Sequence, residues 1–191
     1  MRTRAFWLLT ASACFGTLAS GTVGFSLVPF LANDVGISKG AAAGVLSLGT
    51  VLALSNLGWA YLADVITPRR CLAIALVISG AVVLYLTTVS SLGMALAFAL
   101  MFGIFPSPED SLQGMVLAQY YGRDSYGTIL GFFAPFQIGM LGLGPALGAL
   151  FREEIGSYTP LYLALGAAYM VAGGLVFLAK PPLLPTRAAR R

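Results

Sequence analysis

Residues 6–32 read FWLLTASACFGTLASGTVGFSLVPFLA, an uncharged stretch whose length decides the fold. A helix rises about 1.5 Å per residue, so about 20 apolar residues cross the hydrocarbon core of a bilayer. Arg2 and Arg4 ahead of the stretch, with the small residues at Ala19 and Ser20, give it a superficial likeness to a secretory signal. A signal's apolar region is only about 7–15 residues long. Residues 6–32 are far longer, so they are read as a first membrane span.

Five more runs of similar character follow, at 41–63, 71–89, 93–119, 126–151 and 158–179. The gaps are short, so successive spans should run antiparallel. The composition agrees: 58% of the 191 residues are hydrophobic and 9% charged, with a mean hydropathy of +0.87, whereas a soluble domain carries roughly 25% charged residues. The expected fold is therefore an all-α membrane protein, a six-helix bundle over residues 1–180 followed by a basic cytoplasmic tail at 181–191, with the lipid bilayer as its solvent.

The net charge of +4 does not indicate nucleic acid, because the basic residues lie in clusters between apolar runs and form no stripe on a polar face. They act as orientation signals. With the N-terminus inside, Arg2, Arg4, Arg69, Arg70, Arg123, Lys180, Arg187, Arg190 and Arg191 fall on the cytoplasmic side, and only Lys39 and Arg152 on the other. That bias follows the positive-inside rule, so both termini are expected in the cytoplasm and the chain in the cell's inner (plasma) membrane. There is no histidine, and the only cysteines are Cys14 and Cys71. His-based metal sites, Ser-His triads and Cys-His dyads are thereby excluded, and neither a cofactor, a metal nor an enzymatic activity is expected.

Of the charged residues, Glu109 and Asp110 alone lie inside a run. They sit about 5 Å past the bilayer centre of the fourth span, where an ionised acid costs at least about 2.5 kcal/mol unless it is protonated, paired or in a wet cavity. The surrounding Pro106-Ser107-Pro108-Glu109-Asp110 looks like the start of a new helix. Ser107 would be the cap, Pro108 the first helical residue, and the acids would lie in the first turn against the helix dipole. A discontinuous span four is expected, and broken helices near the midplane are how many transporters build their sites. Glu109 and Gln113 share one helix face, whereas Asp110 points about 100° away, toward Gly103 and Gly114. Glu109 with Gln113 is the expected cavity side, with Asn56 and Gln137 as further polar lining or as hydrogen-bond links between helices. A carboxyl taking up and releasing a proton in each cycle points to proton symport. The glycines of the fifth run, Gly131, Gly139, Gly142, Gly144 and Gly148, suit close helix packing, or bending together with Pro135 and Pro145.

The loop after the second run, Ala60-Tyr61-Leu62-Ala63-Asp64-Val65-Ile66-Thr67-Pro68-Arg69-Arg70, resembles the signature loop of the major facilitator superfamily, with Ala60, Val65 and Thr67 replacing its usual glycine, arginine and glycine. Ala118-Gln119-Tyr120-Tyr121-Gly122-Arg123 and Tyr126-Gly127-Thr128-Ile129-Leu130-Gly131 resemble the junction of the fourth and fifth helices in C-terminal halves of that superfamily, most closely monocarboxylate and oxalate/formate antiporter-like members. The resemblance implies half of a major facilitator fold, two inverted three-helix repeats, and a secondary transporter of a small-molecule substrate. It implies that Asp64, Arg69 and Arg70 help hold a cytoplasmic gate shut. It also implies a second six-helix half, from this chain's own copy or another chain, so the sequence reads as a half-size protein or a fragment. No run carries the Lys or Arg with which carriers of small carboxylates meet an anion. A non-transporting accessory membrane protein or truncated relic acting through helix contacts is the alternative function.

Overall fold

The computed structural model describes residues 3–122 and 126–181, with Ala53 described by its backbone only. Arg2, Arg123 and the expected tail from residue 182 onward lie outside the described residues. Six helical spans are long and apolar enough to cross a membrane. Span one is α1 (Arg4–Asn33). Span two is α2 (Lys39–Val51), a 3-10 turn (Leu52–Ser55) and α3 (Asn56–Val65). Span three is α4 (Pro68–Leu86), and span four is α5 (Leu92–Ile104) with α6 (Glu109–Tyr121). Spans five and six are α7 (Tyr126–Ile155) and α8 (Thr159–Leu178). The chain is a multi-pass membrane protein.

Short polar residues set the helix starts by accepting from backbone amides that lack a partner in the first turn. Ser38 accepts from the amide of Ala41 at 3.3 Å, Thr67 from that of Arg70 at 3.4 Å, and Ser91 from that of Met94 at 3.4 Å. Gly122 closes α6 at φ 80°, a left-handed conformation that favours glycine. Helix α7 runs unbroken through Pro135 and Pro145.

The packing repeats itself. Span one packs on spans five and six as span four packs on spans two and three. Span one touches span two as four touches five, and two touches three as five touches six. Spans three and six form the most extensive pair, and they map onto each other. Spans one to three and four to six are thus two copies of one arrangement. A repeat with an odd number of spans must follow its predecessor upside down, so the copies are inverted repeats. This is the arrangement expected from the resemblance of the signature loop.

Small residues make the tight crossings, because lipid supplies no hydrophobic drive between helices and close backbone approach must substitute for it. At the crossing of α4 and α8, a Cβ on Gly80 would lie 2.8 Å from the Gly166 carbonyl, and one on Gly166 would lie 3.1 Å from the Gly80 carbonyl. Between α1 and α7, Gly144 abuts the amide of Thr22, and Gly21 abuts the Leu141 side chain. Serines add hydrogen bonds between spans one and six. Ser12 donates to the Ala172 carbonyl at 3.0 Å, and Ser26 shares a 3.1 Å bond with Tyr162.

Spans two and five are the least covered. Leu54, Leu57 and Tyr61 are more than 70% exposed, and Ile138 is 68% exposed. The expectation that the span-five glycines chiefly serve packing holds for Gly144 and Gly148. Within this bundle it does not hold for Gly131, Gly139 and Gly142, where a Cβ would meet no atom within 4 Å, because they lie on the side of α7 opposite the one that buries Phe133 and Gly144. At one end of the bundle, Arg152 pairs with Asp34 at 2.5 Å and lies 5.5 Å from the centre of the Tyr158 ring, the one ion pair among the described residues.

Gly80→Leu should therefore destabilise the purified chain by about 1–3 kcal/mol, the usual cost of overpacking. Gly139→Leu should leave its thermal unfolding in detergent nearly unchanged. Equal shifts for the two variants would contradict this packing.

Candidate functional site

Span four is broken at its middle by two prolines. Pro106 and Pro108 have no N–H, so the carbonyls of Phe102 and Ile104 lose the donors that a continuous helix would supply. Helix α5 ends at Ile104, and the amide of Glu109 closes a tight turn on the Pro106 carbonyl at 3.1 Å before α6 begins. Ser107 is not the cap. Pro108 occupies the position before the first helical residue, with no side-chain cap, because the proline pair closes the turn with backbone alone. Span two supplies donors to the carbonyls of Ile104 and Gly103 at the break. Trp59 donates its indole N–H to Ile104 at 2.9 Å, and Ser55 lies 3.4 Å from the carbonyls of both Gly103 and Ile104. Gly103 lies directly against the Gly49 backbone and Leu52, so the irregular part of span two faces the break in span four.

The first turn of α6 then delivers its two carboxyls to different surroundings. Glu109 is 6% exposed and seated against Gly16 of α1, where a Cβ would collide with the carboxyl group. Its Oε1 has no hydrogen-bond partner. The unpartnered hydroxyl of Tyr169, on α8, shares this buried region with Ser20. Asp110 is exposed. It accepts a 3.2 Å hydrogen bond from the Gln137 amide of α7, which also lies 3.5 Å from the Thr17 hydroxyl.

Two cavities meet at Asp110. The first, of about 370 Å³, lies among α1, α2 and α5 and includes Thr17, Thr50, Phe98, Phe102, Gly103 and Glu109 in its wall. The second, of about 240 Å³, lies toward α7 and includes Gln113, Gly114, Phe133 and Gln137. Thr17, Asp110 and Leu141 belong to both. Asp110 therefore does point toward Gly103 and Gly114, but that face is the open one. The Glu109–Gln113 face is packed on α1, where Gln113 donates to the Leu9 carbonyl at 2.9 Å. Neither cavity has a lysine or arginine in its wall. The site can hold a solute between one open carboxyl, one buried carboxyl, amides and aromatic rings.

The other expected site residues separate from this centre. Asn56 lines neither cavity, and its Oδ1 is buried without a partner. At the far end of α3, Asp64 is exposed. Arg70 is also exposed, whereas Arg69 donates to the Ala179 carbonyl at 3.3 Å. The Tyr120 hydroxyl reaches that same carbonyl at 2.6 Å. Gly16, Thr17, Trp59 and Tyr169 were not among the sequence candidates. Gly16 and Tyr169 carry no local signal, each being one small or aromatic residue within an apolar run.

Residues 8–191 match the family model described as Major Facilitator Superfamily. The chain is also 27% identical over 184 residues to monocarboxylate transporter 12 of Rattus norvegicus, a match covering 92% of this chain and 37% of the relative. The chain thus spans little more than a third of the length of that relative.

In a background lacking Cys14 and Cys71, Asp110→Cys should react with a water-soluble maleimide at least about tenfold faster than Glu109→Cys, following exposure. Alkylation rates read by mass spectrometry would test this, and the reverse order would show that the acids face the other way.

Proposed function

Because the chain belongs to the Major Facilitator Superfamily, we propose that it forms one six-helix half of a secondary active transporter that moves a small organic solute with proton coupling. The observation that carries this reading is the broken span four, which opens Asp110 onto two cavities at mid-span while burying Glu109 beside it. Irregular backbone at membrane depth is tolerated where it lines a cavity, and half-helix ends there are typical of solute and ion sites. In our assignment Asp110 meets the solute and Glu109 carries the proton. Thr17, Gln113 and Gln137 position the two, and Asn56 supports the bend of span two.

The solute path is completed by a second six-helix half. Leu54, Leu57 and Tyr61 on span two are exposed, and Gly131, Gly139 and Gly142 on span five have open space in front of them. This pattern suits close approach by other helices better than contact with lipid. Arg4, Arg69, Arg70 and Lys180 lie at one end of the bundle, where Arg4 and Lys180 line a common groove. Their sign supports a cytoplasmic position for that end in the plasma membrane. There Asp64, Arg69 and Arg70 form the gate motif, with Arg69 tied to the end of span six.

Reconstitution in vesicles with an imposed pH gradient tests the reading. Gradient-driven solute uptake should fall at least about tenfold in Glu109→Gln, while exchange down a solute gradient survives within a few-fold. Gly139→Leu, harmless to the isolated fold, should weaken assembly with the second half, read by cross-linking. Absence of flux with any partner half would instead make the chain an accessory protein that acts through helix contacts.

A further inference from the structure

Two unsatisfied acceptors lie beside the cavities. Oε1 of Glu109 and Oε1 of Gln113 are both buried without a partner, in side chains 6% and 3% exposed. The Gln113 oxygen is an acceptor by elimination, because its amide nitrogen already donates to Leu9. Glu109 lines the first cavity and Gln113 the second. Asp110, which lies in both, uses Oδ1 to accept from Gln137 and is exposed to whatever enters. The two buried oxygens give the wall beside Asp110 an electronegative character, and Asp110 is the acceptor that an occupant of the cavities reaches.

The wall selects further. The first cavity is also lined by Phe102, which stacks on the fully buried Phe98 with centroids 5.1 Å apart, and by Leu46. No basic residue lines either cavity. An anion would meet Asp110 with nothing to neutralise it. A neutral solute would leave the carboxylate unpaired. An ammonium group with an apolar body would pair with Asp110, and its body would lie against Phe102, where a ring also attracts cations. The volume of about 370 Å³ lies at the small end of ligand pockets, roughly 300–1,000 Å³, which suits a compact amine.

We propose that this half binds a small organic cation, an amine with one apolar or aromatic body, with its ammonium on Asp110 between the two cavities. The assignment names the substrate class of the site described above and so rests on the transporter reading for its use, but its binding test is independent of flux.

The test uses the full chain in lipid nanodiscs and three labelled probes of one shape: phenethylammonium, 3-phenylpropionate and 2-phenylethanol. Equilibrium dialysis should show saturable binding of phenethylammonium, at least tenfold tighter than either of the others. Asp110→Asn should weaken it at least tenfold, and Asp110→Glu should restore it to within a few-fold. Thr50→Lys places a cation on the wall of the first cavity without touching the acids. It should weaken phenethylammonium tenfold and strengthen phenylpropionate, and it decides the matter even if Asp110→Asn does not fold. Equal or tighter binding of the anion or the alcohol overturns the proposal, as does phenethylammonium binding that survives Asp110→Asn. Cation binding as expected, with no flux in vesicles, supports the site and counts against transport. Flux of another solute without cation binding does the opposite.

Discussion

A backbone group inside a bilayer has no water to turn to, and the bond from the Trp59 indole to the Ile104 carbonyl answers that constraint at the one place where it is most severe. Span four stops being a helix near mid-membrane, at a proline pair that takes away two amide donors. Without a partner, each stranded carbonyl would carry a penalty of several kcal/mol in hydrocarbon. Span two supplies donors to Ile104 and Gly103 and in turn gives up its own regularity at Leu52–Ser55. Two interruptions packed face to face are tolerable where either alone would not be. The first turn of α6, and with it both carboxyls, takes its position from this arrangement.

The rest of the bundle is a scaffold for that turn. The crossing of spans three and six is drawn tight by Gly80 and Gly166, and span one seals the bundle against spans five and six. The inversion between the repeats makes span one the counterpart of span four. The place where they meet is Gly16 against Glu109. One repeat offers a carboxyl where the other has no side chain, so the two copies differ at a point where they touch.

Much of this was legible in the residues. Six apolar runs and the placement of charges dictated six spans, since about 20 residues must cross the hydrocarbon core. Pro106 and Pro108 announced the break. What the spacing did not reveal was which side of α6 would be covered. Glu109 and Asp110 are about 100° apart on any helix, and only the position of α1 decides that the Glu109 face is packed and the Asp110 face open. Ser107 fits the cap pattern, but prolines on both sides of it close the turn without its hydroxyl. The span-five glycines look alike in sequence and divide in space, because Gly144 and Gly148 lie with Phe133 and Gln137 on the side of α7 that packs on α1, and Gly131, Gly139 and Gly142 lie on the opposite side. Partners distant in sequence, such as Trp59 on Ile104, are set by tertiary packing and have no local signature.

The carbonyl of Ala179 accepts from both Tyr120 and Arg69, which fastens the ends of spans four, three and six to a single oxygen. Helix α6 is thereby moored at its far end to the pair of helices that cross most tightly. Helix α5, beyond the break, is packed chiefly on α2, in the loosely covered span two. Span four is thus a jointed lever with one arm bolted down. Any swing it makes must be taken up at residues 105–108, directly beside the two carboxyls, so that mechanical displacement and a change in the surroundings of Glu109 and Asp110 are the same event.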